Sequence, residues 1–410
     1  MKILSIIYLG YMFVSIYFLS LFLILFMKNK KTLFDYPKTG KKYSVSFIIP
    51  AYNEGKNIKE SIEHIFDVGY PYLKEVIVVN DCSSDDTRKV VEGLLKKYPK
   101  LKLINNPKNL GNAACSQNVG LKYASGELIA VVDGDSFPAR ESINKMVGFF
   151  DDKKVGAVTC PSKAKNRDKF IEKLQSIEYN VIGFTRKLLD YVDAIYVTPG
   201  TLALYRRKAL DDIGGFDEQN MTQDIEATWN LTFHGYKRKM CLDTYVTTRV
   251  PSTIKDWYRQ RRRWNIGGLQ CISKYRKYLF SGNILGLFII PFFMMQLFLG
   301  LLGLGIFLYL SLTNIVRNYI FANYSMQAGT SLITLNDFYI TPSFLNYLGI
   351  ILFIAGGLFT ILVLKIMKDN ILKKENLFNL LFYLVFYLTI YPFIMISAIY
   401  KYTKKSYKWR

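Results

Sequence analysis

Four short constellations in this chain carry side chains suited to chemistry. They are Asp81 behind a β-branched run, Asp133-Gly134-Asp135 behind another, Thr222-Gln223-Asp224, and Gln260-Arg261-Arg262-Arg263-Trp264 beyond it. Singly each is weak, because aspartate and glycine also suit plain turns. Together they answer the three demands of moving a sugar off a nucleoside diphosphate. The diphosphate leaving group has to be neutralised, which a hard cation such as Mg²⁺ or Mn²⁺ on one or two carboxylates does, with cationic side chains sharing the load. The acceptor hydroxyl has to lose a proton as it attacks, which calls for a carboxylate on the opposite face of the sugar. The acceptor saccharide needs a platform, and an aromatic ring offers an apolar face for stacking. Plainer readings exist: Asp224 as a cap before Ile225, Asp81 with Ser83 and Ser84 as a helix start, and Trp264 as an anchor at headgroup depth. They would all have to hold at once.

The elements that must position these residues are readable from periodicity. From about Tyr43 to Arg249, short β-branched runs alternate with helical patterns, which predicts a mostly parallel sheet covered on its faces by helices, an α/β fold. The best strands are Ser44 to Ile49, Glu75 to Asn80, Leu101 to Asn105 and Leu128 to Val132. Each ends in a turn-forming cluster. Ligands of open α/β sheets sit beyond the carboxyl ends of the strands, so Pro50 to Gly55, Asp81 to Asp86 and Asp133 to Pro138 are expected to converge on one rim. Arg167 to Tyr191 reads as an amphipathic helix with Phe170, Leu174, Ile177 and Val181 on one face, expected to frame the acceptor side. Lys255 to Tyr278 is strongly basic with Trp257, Tyr258, Trp264 and Ile266 interleaved, a pattern that suits a helix at a membrane surface.

The order and spacing of the four constellations resemble the processive family-2 glycosyltransferases, the cellulose, chitin, hyaluronan and poly-N-acetylglucosamine synthases. The resemblance runs from about Ser44 to Gly268. It rests on Ile49-Pro50-Ala51-Tyr52-Asn53-Glu54, Asp81, Asp133 to Asp135, Ile213-Gly214-Gly215-Phe216-Asp217-Glu218 and the Q-x-x-R-W pattern of Gln260 to Trp264. It implies a GT-A nucleotide-sugar domain and a metal-dependent reaction that inverts the anomeric carbon. It further implies that Tyr52, Glu54 and Asp81, with Ala51 beside them, cradle the uridine and that Asp133 lies against the nucleotide. Asp135 would hold Mg²⁺ or Mn²⁺, Asp224 would be the general base, Gln260 and Arg263 would contact the diphosphate, and Trp264 would lie beneath the acceptor sugar. Two positions depart from the family: Gln223 stands where glutamate is common before the base, and Asn112 stands where many members carry lysine after the glycine. Both reduce charge near the site.

Four stretches run almost free of charge for about 20 residues or more, the length a helix needs to cross hydrocarbon. The first, about Ile3 to Met27, is read as an uncleaved anchor, and the lysines that follow it, Lys28 to Lys42, place that side in the cytosol. Ile284 to Leu312, Phe344 to Met367 and Leu377 to Tyr400 would make four spans. Four crossings put the carboxyl tail outside, whereas its Lys401, Lys404, Lys405, Lys408 and Arg410 favour the cytosol, so one stretch is re-entrant or the rule fails there. The expected organisation is an anchor over 1–27, a cytosolic nucleotide-sugar domain over 28–253, interfacial helices over 254–280 and a membrane region over 281–410. A net charge of +22 is placed beside apolar stretches, where anionic lipid headgroups are the simpler partner than nucleic acid. The five cysteines lack CxxC spacing, which argues against zinc. The expected function is transfer of a hexosamine, N-acetylglucosamine or a relative, from a UDP-sugar to a growing polysaccharide at the cell membrane. A homo-oligomer is compatible with so few spans. Single transfer to a lipid-linked acceptor is the alternative, and a non-catalytic scaffold or transporter is the alternative of another class.

Overall fold

The structure is a computed structural model and describes residues 2–329, 344–368 and 374–407. A 28-residue apolar helix, α1 (Lys2–Asn29), precedes the α/β body. That body runs β1 (Val45–Ala51), α2 (Ile58–Phe66), β2 (Leu73–Asn80), α3 (Thr87–Leu95), β3 (Leu101–Asn105), α4 (Ala113–Tyr123), β4 (Leu128–Val131), β5 (Ser136–Pro138), α5 (Ser142–Met146), β6 (Val155–Thr159) and β7 (Ser162–Ala164). It continues through α6 (Phe170–Asp190), β8 (Ala203–Arg206), α7 (Arg207–Asp212), α8 (Gln223–Phe233), β9 (Lys237–Met240) and β10 (Val246–Thr248). Then follow α9 (Ile254–Tyr275), α10 (Ile290–Gln327), α11 (Phe344–Ile366), α12 (Lys374–Phe382) and α13 (Leu388–Thr403).

The main sheet has the order β3-β2-β1-β4-β8-β6-β9, with β8 antiparallel to both neighbours and the other pairs parallel. Its central strands are apolar on both faces, as a sheet covered on both sides requires. Phe47, Ile49, Val76 and Val78 point into one core with α2 and α3, and the alternating Ile48, Ile77 and Val79 point into the other with α4 and α8. Helix α4 lies close enough on the sheet that a Cβ at Gly120 would stand 2.5 Å from Ile48 Cγ2. The connections from β1 run outward to β2 on one side, while β4 starts the other half of the sheet. Their carboxyl ends therefore form a topological switch point, the crevice where open α/β sheets bind ligands. A small sheet, β5-β10-β7, continues from that crevice.

Ser5–Asn29, Leu285–Gln327 and Tyr347–Ile366 are long and apolar enough to cross a membrane. The last apolar stretch differs from a plain span. It is a pair of helices, Leu377–Tyr387 and Thr389–Thr403, bent by 40° at a break that follows a π-helical turn over Tyr383–Tyr387. Its start packs on the α/β body through Phe378 and Phe382 against Phe170. Its far end returns there too, with Ala398 packed among Met221 and Ile266. Between these points α13 runs alongside α9. Lys408 and Arg410 lie outside the described residues.

Candidate active site

A cavity of about 1100 Å³ opens at the switch point. Every residue that the sequence placed in the site lines it: Ala51, Tyr52, Glu54 and Asp81 from the ends of β1 and β2, Asp133 and Asp135 after β4, Asp224 on α8, and Gln260, Arg263 and Trp264 on α9. The two loops at the nucleotide end are knitted together. Asn53, with φ 57°, accepts at Oδ1 from the backbone N–H of Ser84 at 2.8 Å, and its own N–H donates to Ser83 Oγ at 3.0 Å. Asp81 does not begin α3. Its carboxylate accepts from Asn106 Nδ2 at 2.8 Å and from the N–H of Leu110 at 3.0 Å, which fixes the 106–110 loop as a wall of the cavity.

The carboxylates at the centre are crowded together and half-buried, recessed in the cavity wall. Burial, followed by the charges of Asp135 and Asp224, pushes the Asp133 carboxyl up to about 8. Burial also raises Asp135, opposed by hydrogen bonds from Ser136 and Thr248. Asp224 is raised by burial as well, and the N–H of Ile225 at 3.0 Å opposes that rise. The cation that faces all three is Arg263, which lowers each of them. Among the described residues no group of three or more His, Cys, Asp and Glu side chains forms a self-sufficient metal cage. Mg²⁺ or Mn²⁺ commonly binds through one or two carboxylates plus substrate phosphates and water, without such a cage. Three carboxylates gathered around Arg263, with Arg186 acting on Asp224 as well, are a setting in which a divalent cation is favoured.

Asp224 is the second residue of α8, whose N-cap is Thr222, so it is not the cap. The loop before it is held by α9: Met221 N–H donates to Gln270 Oε1 at 2.8 Å, and Lys274 pairs with Asp217 at 2.7 Å and Glu226 at 2.6 Å. Asp217 and Glu226 are thus engaged in structure, and neither lines the cavity. Asn112 caps α4 by accepting from Cys115 N–H at 2.9 Å, and it donates to the carbonyl of Glu218 at 2.6 Å. Asn112, read from the sequence as a departure from the family pattern, thus serves as a helix start here. Trp264 is half-buried, with the Arg261 guanidinium 4.1 Å from its ring centre.

Sequence reasoning missed the support behind α9. Arg261, fully buried, pairs with Glu178 of α6, and the hydroxyls of Tyr387 and Tyr391 donate to the same carboxylate. This ties the helix that carries Gln260, Arg263 and Trp264 to the bent apolar pair. Arg186 of α6, which also lines the cavity, was missed too.

Comparison with known proteins adds to this geometry. The family description "Glycosyl transferase family 2" matches residues 46–214. The chain is 30% identical over 232 residues to the poly-beta-1,6-N-acetyl-D-glucosamine synthase of Staphylococcus epidermidis strain RP62A, covering 56% of each protein. It is 28% identical over 262 residues to the synthase of that name from Staphylococcus aureus strain COL, covering 63% of this chain and 62% of the other. The matches thus span a little over half the length of these relatives. Among solved structures, a mannosyltransferase from Pyrobaculum calidifontis in complex with GDP-Man and Mn²⁺ superposes with a TM-score of 0.64 at 20% identity, over 98% of this chain and 100% of that one. At that identity the likeness concerns the fold, and it takes in the apolar helices as well as the α/β body.

Proposed function

We propose that this chain, whose residues 46–214 match the glycosyl transferase family 2 description, is an inverting, metal-dependent hexosaminyltransferase. It moves N-acetylglucosamine or a related hexosamine from a UDP-sugar onto a growing saccharide at the membrane. The observation that carries this reading is that one cavity gathers the carboxylates, the guanidinium and the indole that the reaction requires.

Ala51, Tyr52, Glu54 and Asp81 hold the uridine end. Asp133 lies against the nucleotide, and Asp135 would hold Mg²⁺ or Mn²⁺, which when bound would neutralise the departing diphosphate. Arg263 and Gln260 face the same phosphates. Trp264 carries the acceptor sugar. As the acceptor oxygen bonds to the anomeric carbon, the bond from that carbon to the diphosphate breaks, UDP leaves with the electron pair, and the hydroxyl proton passes to Asp224. The ionised form of Asp224 is the active one. Burial raises its carboxyl, so the rate climbs with pH above the ordinary carboxylate range.

The division proposed for the chain is an anchor over 1–27, a catalytic domain over 28–253 facing the cytosol, interfacial helices over 254–280 and a membrane region over 281–410. The test is turnover by the full chain with Mn²⁺ and a panel of UDP-sugars, followed by sizing of the product. A ladder or high polymer from UDP-N-acetylglucosamine supports this reading. One sugar on a lipid-extractable product supports single transfer to a lipid-linked acceptor. Absence of UDP release with every donor would leave a scaffold or transporter.

A further inference from the structure

Among the described residues three arginines are deeply buried beside or within the α/β body, and two of them are satisfied. Arg238 donates to the backbone carbonyls of Asp193, Ile195 and Tyr236. Arg261 has Glu178. Arg186 differs. It is 6% exposed and lines the catalytic cavity, yet its Nε has no hydrogen-bond partner and its guanidinium forms no ion pair among the described residues. Burial pulls it below the ordinary guanidinium range, with the charges of Tyr196 and Asp224 opposing. A buried cation left in this state is costly unless something anionic arrives to pair with it.

The surroundings say what kind of anion. Tyr196, which senses this guanidinium, packs edge-on against Phe293 of α10 at 5.8 Å. Arg186 therefore stands where the cavity passes from the α/β body to the apolar helices. The wall there is Phe293, Gln296, Leu297 and Gly300 of α10 with Met395 of α13. A neutral saccharide would leave the guanidinium unpaired, and a free inorganic anion has no use for an apolar wall. A phosphate joined to a hydrocarbon chain satisfies both surfaces, and the planar guanidinium fork matches phosphate oxygens.

We propose that Arg186 receives the phosphate of a lipid-linked acceptor, whose sugar end meets Asp224 and Trp264 and whose chain leaves along α10 and α13. This rests on the glycosyl-transfer reading and names the acceptor class for it.

The test measures retention of a radiolabelled isoprenoid phosphate by the immobilised, detergent-solubilised full chain, without donor, so it is independent of turnover. The matching isoprenoid alcohol and inorganic phosphate serve as the other arms. The phosphate lipid should be held about tenfold more tightly than the alcohol, the scale of a charge-assisted hydrogen bond. Arg186→Gln should abolish that preference and Arg186→Lys should keep part of it, with calorimetric UDP affinity unchanged in both as the control for folding. Equal retention of phosphate and alcohol would overturn the proposal, as would a glutamine variant that retains the label like the parent. Displacement of the label by an equal concentration of inorganic phosphate would refute the lipid source. A change confined to the pH profile of turnover, with retention intact, would show that Arg186 serves Asp224 alone and would overturn it too.

Discussion

Gly267 of α9 lies so close to Thr222 that a Cβ added there would stand 1.9 Å from Thr222 Oγ1. Thr222 is the N-cap of α8, two residues before Asp224. The helix that carries Arg263 and Trp264 thus sets the position of the loop that carries Asp224, and only a hydrogen at residue 267 permits the approach. Gly267→Ala should push the loop away at an overpacking cost of about 1–3 kcal/mol. Glycosyl transfer should fall steeply while UDP binding, made at the other end of the cavity, stays close to the parent. Measured kcat alongside calorimetric UDP affinity checks this, and an alanine variant with normal kcat would contradict it.

Asp135→Asn should remove the metal dependence of nucleotide binding, because a neutral amide is a poor ligand for a hard cation. Calorimetry of UDP with and without Mn²⁺ is the check. Mn²⁺ should strengthen UDP binding to the parent and leave the variant at its metal-free affinity. A metal effect of equal size in both proteins would remove Asp135 from the metal site.

A proton should leave when cation and nucleotide enter. Before cation and nucleotide enter, the Asp133 carboxyl is held up to about 8 by burial and by its acidic neighbours, so near pH 7 it keeps its proton. A bound cation and Arg263 favour the ionised form, so binding of UDP with Mn²⁺ should tighten as pH rises toward 8 and level off above it. Binding enthalpies at pH 7 in buffers of different ionisation enthalpy would reveal the released proton. Identical enthalpies in all buffers would speak against it.

The sequence displays the sheet and the rim clearly, because β-branched runs of strand length ending in polar clusters leave few alternatives. The Gln260, Arg263 and Trp264 spacing of three and four residues places all three on one side of α9. What the sequence conceals depends on distant partners. Glu178 and Arg186 occupy polar positions of an amphipathic helix, where periodicity alone suggests solvent, and only the packing of α9, α10 and α13 turns those positions inward. The last apolar stretch is similar: hydropathy reports its length, but the hydroxyls of Tyr387 and Tyr391 on Glu178 keep it beside the α/β body.

That bent pair bears on membrane topology. With α12 and α13 both returning to the α/β body, the three longer apolar helices alone would cross. The tail with Lys401, Lys404 and Lys405 then shares the side of the catalytic domain, as the positive-inside rule favours. In intact cells an impermeant maleimide should spare Lys96→Cys and Lys404→Cys and modify Arg317→Cys, toward the far end of α10. Permeabilised cells should show labelling of all three. Modification of Lys404→Cys in intact cells would make the bent pair a fourth crossing, and modification of Lys96→Cys would place the catalytic domain outside.

Transfer from UDP-N-acetylglucosamine by the parent and by Asp224→Asn tests most directly whether Asp224 takes the acceptor proton. Asparagine keeps the shape of the side chain but cannot accept that proton, and a positioned base contributes about 10² to 10⁴ in rate. Transfer should therefore collapse by a factor in that range while UDP affinity changes little. Near-normal transfer by Asp224→Asn, or a loss of metal-supported UDP binding as severe as in Asp135→Asn, would contradict the account.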